Sequence, residues 1–352
     1  MNPRDNTRQL KVGNVLVGGG AEVSVQSMCN TNTEDAQATL AQIQELAEAG
    51  CELIRVAIPS KKAYEGFEEI CKSSPLPVIA DIHFNHKHAL AAMDMGASAI
   101  RINPGNIGDM QKVDEIIESA RDKHIPIRIG VNAGSLDPYY REMGGWSLAE
   151  KLIASSKSFV EHFESLGFYD IALSAKAHDV LATIETYTKL SQELPQIPLH
   201  LGVTEAGTFR QGTVKSAMGI GHLLLNGIGD TFRVSLTADP LDEIKVAWDI
   251  LSAAGLRRRS PEIVSCPTCG RCKVNLVEIA SQVEKRLQNV KAPISVAVMG
   301  CAVNGPGEAK DADIGVAAGN GIGTIFAQGE VIKKVKEEEI LDALFEEIHK
   351  RF

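Results

Sequence analysis

Eight short runs of β-branched and aliphatic residues recur along the first two thirds of the chain. They are VSVQSM (23–28), LIRVAI (53–58), PVIADI (77–82), AIRIN (99–103), PIRIGV (126–131), DIALSA (170–175), PLHLGV (198–203) and TFRVSL (231–236). Between them lie amphipathic stretches at helical spacing, such as DAQATLAQIQELAEAG, HKHALAAMDMGA and KVDEIIESARDKH, several closed by glycine. Strand–helix alternation of this kind predicts right-handed crossovers and a parallel sheet. Eight units in roughly 250 residues is the size of a (β/α)8 TIM-type barrel. An open doubly wound sheet fits less well, because no G-x-G-x-x-G follows the first strand. The segment KVGNVLVGGG, ahead of the first run, predicts a small hairpin plugging the bottom of the barrel.

The rhythm stops at Arg257-Arg258-Arg259-Ser260-Pro261, which reads as a domain boundary. The expected division is a barrel over 1–258 and a second domain over 259–352. In the second part the pattern predicts a helix over about 273–288, a strand over 294–300, strands near DIGVAAG and GTIFAQG, and a terminal helix in EEEILDALFEEIHK. That order describes a small α+β domain.

Composition narrows the function classes. With 44% hydrophobic and 23% charged residues in 352, the chain is an ordinary globular protein. A formal charge of −9 argues against nucleic-acid or acidic-membrane partners. No run reaches the ~18 apolar residues a membrane span needs, and MNPRDNTRQL carries no signal-peptide core. A cytoplasmic location is expected, and with it seven reduced thiols. Cys29, Cys51 and Cys71 read as small buried residues. The other four fall in the last third of the chain.

Four of the predicted strands carry an arginine between apolar neighbours: Arg55, Arg101, Arg128 and Arg233. An arginine cannot lie in the dry strand–helix layer without a partner, so these side chains are expected to face the lumen. The same parity puts Asn103 inward; Asn132 lies near the rim, and Asp81, His83, Lys176 and His200 are expected inward as well. Guanidinium groups grip phosphate oxygens in pairs, so the set predicts an anionic substrate, most simply a di- or polyphosphate. The glycine-containing loops NPGNIGD (103–109) and VNAGSLD (131–137) offer backbone N–H groups to the same anion. The competing reading is a polar core in which Asp81, Glu205 and Asp230 neutralise the arginines. Glu205, in the Thr204-Glu205-Ala206-Gly207 loop, is placed to donate or accept a proton.

Cys266, Cys269 and Cys272 form a C-x2-C-x2-C run, and Cys301 follows at a distance in MGCAVNGPGE (299–308). Thiolates at this spacing chelate a metal centre, an iron–sulfur cluster in preference to zinc, because the second half offers one cysteine and not a second pair. Spacing alone makes Cys272 the fourth ligand. Glu308 is the other candidate, a hard oxygen donor that clusters seldom use.

The strings QSMCNTNTEDAQAT, ADIHFNHKHAL, RINPGNIG, PIRIGVNAGSL, LHLGVTEAG, GIGDTFRVSL, DPLDEIKVAWDIL, SCPTCGR and GCAVNGPGEA resemble the family of bacterial 4-hydroxy-3-methylbut-2-enyl diphosphate synthases, from about residue 7 to 330. The resemblance implies a barrel joined to an iron–sulfur domain similar to those of sulfite and nitrite reductases. It implies reductive ring opening and dehydroxylation of 2-C-methyl-D-erythritol 2,4-cyclodiphosphate in isoprenoid biosynthesis, with a flavodoxin or ferredoxin as electron donor. It also implies a homodimer in which one subunit's cluster domain caps the partner's barrel. On the family pattern a [4Fe–4S] cluster is held by Cys266, Cys269, Cys301 and Glu308, and Cys272 is a bystander. A carboxylate ligand such as Glu308 can exchange for a substrate oxygen in catalysis, and Glu205, from its place at the rim, is expected to give the proton to the departing hydroxyl. The alternative is a non-enzymatic iron–sulfur sensor or electron carrier.

Overall fold

The computed structural model describes residues 2–272, 274–301, 311–319 and 321–352. The chain divides into two units, Met1–Arg257 and Arg258–Phe352.

In the first unit a hairpin of β1 (Leu10–Val12) and β2 (Val15–Val17) precedes eight barrel strands. These are β3 (Ser24–Met28), β4 (Leu53–Ala57), β5 (Val78–Ile82), β6 (Ala99–Ile102), β7 (Ile127–Asn132), β8 (Ile171–Lys176), β9 (His200–Leu201) and β10 (Thr231–Phe232). Each falls on one of the eight apolar runs. All pair in parallel, in chain order from β3 to β8, while β10 lies between β9 and β3. The last two strands are short because their ladder holds for only two residues on each side. Closure between β8 and β9 rests on the parallel bridge Leu173↔Leu199. The hydroxyl of Tyr187 supplies the next rung, accepting from Ala175 N at 3.1 Å and donating to His200 O at 2.7 Å.

Apolar side chains such as Ile54, Val56, Ile100, Ile102, Ile127 and Ile129 lie on the outer faces of these strands and pack against the helices. At the N-terminal end Leu10, Val12 and Val17 of the hairpin pack on Leu53, Ile79, Ala99 and Ala172. The barrel floor is therefore closed largely by hydrocarbon, and the arginines of the lumen lie above it.

In the second unit the strands are β11 (Glu262–Ser265), β12 (Ser295–Met299), β13 (Ile314–Gly319), β14 (Ile322–Ala327) and β15 (Glu330–Lys336), in that spatial order. The first three are parallel and the last two antiparallel. Helices Leu276–Leu287 and Ile340–Arg351 cover one face, with Val283, Leu287, Leu344 and Ile348 in its core.

Candidate functional site

Register fixes the polar layer of the barrel. Asp81, Arg101 and Arg128 are successive partners across β5, β6 and β7, so their side chains stand level and project the same way. Asp81 joins two of the arginines: its carboxylate lies 3.2 Å from Arg101 Nη1 and 3.7 Å from Arg55 Nε. At the rim, His83 Nε2 sits 3.3 Å from the same carboxylate. Burial by itself would raise the Asp81 carboxyl, but the Arg55 charge, the His83 hydrogen bond and the Arg101 charge outweigh it and hold it well below the usual range. Burial presses the Arg55 guanidinium down to about 10, against the pull of Asp81. Arg55 also donates to Met28 Sδ from Nε (3.3 Å) and Nη2 (3.0 Å).

Arg101 Nη2 reaches toward the Gly130 carbonyl. The Asn132 amide, set by its hydrogen bonds, accepts from the same nitrogen at 3.1 Å and donates to Val131 O at 3.2 Å. Gly130 is required here: a Cβ at that position would lie 2.5 Å from Arg101 Nε. Asn103 anchors its loop, donating to Ser135 O and Oγ and accepting from Gly105 N at 3.1 Å. Arg233 is held by Glu243 through contacts of 3.1 to 3.2 Å. Burial raises the Glu243 carboxyl, with the Arg233 charge opposing.

The least compensated groups are Arg128, Lys176 and His200. Arg128 Nε and Nη2 are buried with no hydrogen-bond partner. Lys176 Nζ stands 3.3 Å from His200 Nε2, and His200 Nδ1 is buried without a partner. Burial first, then the Arg128 charge, holds both the Lys176 amine and the His200 imidazole well below their ordinary values. A Cβ at Gly202 would fall 2.5 Å from Lys176 Nζ, so glycine makes room for the amine. Five cationic side chains thus share this space with two carboxylates, Asp81 and Glu243. Such a site holds donors in readiness for an anion.

The expectation that Asp230 neutralises the arginines is corrected: it lies at the opposite end, accepting from Leu199 N (2.7 Å) and Thr7 Oγ1 (3.0 Å). Glu205 is exposed and is likewise not in an ion pair with them. It takes φ of +52° in a loop tied to its neighbours by Thr204 N to Ala177 O (3.1 Å) and Thr237 N to Gly207 O (2.9 Å). Glu243, Met28 and Tyr187 are additions that the sequence reading missed. Glu243 had left a signal, since it falls on the buried face of its helix with Ala247 and Leu251.

In the second unit β11 and β12 run side by side, with Ser265 opposite Val298. Cys266 and the Gly300-Cys301 pair therefore leave the sheet at the same end. Gly300 N donates to Cys266 Sγ at 3.4 Å, and a Cβ at Gly300 would meet Cys272 Sγ at 2.6 Å. Cys269 is exposed, and its thiol is lowered first by the backbone N–H of Arg271 and then by the Arg271 side chain. All four cysteines are free thiols. Among the described residues no three His, Cys, Asp or Glu side chains stand close enough to clasp a single ion. A soft thiol set around a glycine cradle with an N–H···S bond fits an iron–sulfur cluster. Glu308 lies outside the described residues. Burial pushes Cys29, Cys51 and Cys71 up to about 12, which leaves those three thiols inert.

Two family models match, the GcpE TIM-barrel domain over residues 7–248 and the GcpE protein C-terminal domain over 262–350. Similar proteins include the 4-hydroxy-3-methylbut-2-en-1-yl diphosphate synthase (flavodoxin) of Geobacter sulfurreducens, 53% identical over 98% of this chain and 97% of that protein. The synthase of the same name from Thermodesulfovibrio yellowstonii is 52% identical over 99% of both chains. Among solved structures, 7,8-dihydropteroate synthase from Vibrio fischeri (13% identity, TM-score 0.50, covering 71% of this chain and 99% of that one) shares the fold. So does 3-dehydroquinate dehydratase from Geobacillus kaustophilus (14%, 0.50, 72% and 99%).

Proposed function

The chain belongs to the GcpE family, and from that premise we propose that it reductively opens 2-C-methyl-D-erythritol 2,4-cyclodiphosphate to 4-hydroxy-3-methylbut-2-enyl diphosphate. Two electrons and two protons enter and one water leaves. The observation that carries this reading is the cation-lined lumen, with the buried and unpartnered nitrogens of Arg128 at its centre.

Arg55, Arg101, Arg128 and Lys176 grip the diphosphate, each guanidinium offering paired N–H donors to phosphate oxygens. Asp81 sets the spacing of Arg55 and Arg101, and His83 steadies Asp81 from the rim. Asn132 orients Arg101, Asn103 fixes the loop beside it, and Glu243 holds Arg233 against the wall. His200 positions the Lys176 amine. Glu205, facing water, delivers a proton to the departing hydroxyl and reloads from solvent.

A [4Fe–4S] cluster held by Cys266, Cys269, Cys301 and Glu308 would supply electrons singly and an iron acting as Lewis acid. Flavodoxin, the donor in the relatives' names, is the electron source in this reading, and the assembly is a homodimer. The test is an anaerobic assay of the cyclodiphosphate with reduced flavodoxin. Formation of the linear diphosphate is expected, and no conversion by cluster-loaded protein overturns the reading.

A further inference from the structure

The lumen has more positive charge than it can neutralise by itself. Asp81 is engaged by Arg55, Arg101 and His83, and Glu243 by Arg233. Among the described residues no carboxylate lies within ion-pair distance of Lys176, whose nearest polar partner is an imidazole nitrogen. An ammonium there faces Arg128, Arg55, Arg233 and Arg101 without an anion in contact. Glu243 feels its charge but is already committed to Arg233. Guanidinium groups keep their protons in any protein setting, so the strain of crowding like charges is relieved at the amine.

We propose that the Lys176–His200 pair is a proton-uptake site, neutral in the ligand-free enzyme and gaining one proton when the cyclic diphosphate binds. This rests on the substrate reading above. The geometry supports it twice. Lys176 Nζ fills the space that a Cβ at Gly202 would occupy, so that wall offers the amine no side-chain partner. His200 Nε2, at 3.3 Å, can accept from an ammonium or donate to an amine, depending on its tautomer. Burial and the neighbouring arginines favour the neutral forms until an anion arrives. The other titratable neighbours do not serve. Tyr187, pushed up to about 12 by burial, keeps its proton, and Asp81 stays ionised.

The ligand makes the test clean. Each phosphorus of the cyclodiphosphate carries one ester and one bridging oxygen, leaving a single strongly acidic hydroxyl. The ligand is a dianion across the neutral range, so a proton taken up on binding belongs to the protein. Calorimetric titration in HEPES and in Tris should give binding heats that differ by the buffers' ionisation enthalpies, for about one proton per site. The affinity should weaken by up to about tenfold per pH unit as pH rises through the neutral range. In the double variant Lys176→Arg, His200→Gln, the binding that remains should show heats independent of buffer. Buffer-independent heats for the unaltered enzyme overturn the proposal without a variant. Uptake that persists in that double variant lies outside the pair and overturns the proposal as well. Absence of any cyclodiphosphate binding overturns the substrate reading instead, so the two failures are distinguishable.

Discussion

Two aspartates are buried in the same barrel, one at each end, and they behave oppositely. Asp81, at the polar mouth, is held ionised: burial would raise it, but Arg55, His83 and Arg101 win. Asp230, beside the floor, receives hydrogen bonds from Leu199 N and Thr7 and the more distant charge of Arg4, and burial still pushes it up to about 6. Desolvation is common to both. The difference is direct contact with cations, which neutral donors do not replace. The mouth is built with positive charge in excess, as an anion site requires, whereas the floor is built from hydrocarbon and neutral donors.

The largest expected effect is at the mouth. Asp81→Asn keeps the shape and removes the carboxylate that, among the described residues, contacts Arg55 and Arg101, leaving both cations uncompensated. The cost should be about 3–5 kcal/mol, read as a lower urea midpoint. An unchanged midpoint would mean that Asp81 does not hold the arginines. Because its folded value is depressed, the Asp81 contribution is complete at neutral pH and lost only in strong acid.

The floor gives a smaller effect of opposite sign. Asp230 is raised from 3.8 to about 6, so the folded state binds a proton that the unfolded chain has released. Stability from this group is therefore greatest in acid and falls between about pH 4 and 6, by at most about 3 kcal/mol. Asp230→Asn can turn its carbonyl to Leu199 N and its amide to Thr7 Oγ1, while Thr7 still donates to Arg4 O. Chemical denaturation across this pH range should show a flatter profile for the variant. An identical profile would place the titration elsewhere.

Most of this was legible in the sequence, for a physical reason. Barrel strands are buried on both faces, so they read as continuous apolar runs, and an arginine inside such a run has only the lumen to enter. The resemblance motifs named the chemistry. Pairing was less legible. Asp81 sits inside an arginine-bearing sheet and was anticipated, but Glu243 comes from a helix after the last strand and reaches Arg233 only through the fold. Gly130 and Gly202 appeared only as glycines inside strand runs, a pattern that marks a close approach without saying of what. The Tyr187 rung was invisible, because a backbone gap has no signature in side-chain order.

The smallest effect separates geometry from chemistry at Glu205. A non-glycine residue at φ of +52° carries a backbone cost of about 1 kcal/mol. Strain of this kind persists where a side chain is wanted in a particular place. Asparagine tolerates the left-handed region better, so Glu205→Asn should stabilise the fold by roughly 0.5 kcal/mol, a rise in Tm of a degree or two. Glu205→Gln retains the strain and loses the proton, so its Tm should stay in place. In the cyclodiphosphate assay both variants should lose most turnover while keeping the visible absorbance of a bound cluster. Normal turnover in Glu205→Gln would remove Glu205 from the proton path. Loss of turnover in both, with a Tm rise in Glu205→Asn alone, would show that the loop accepts strain to present a carboxyl group at the mouth.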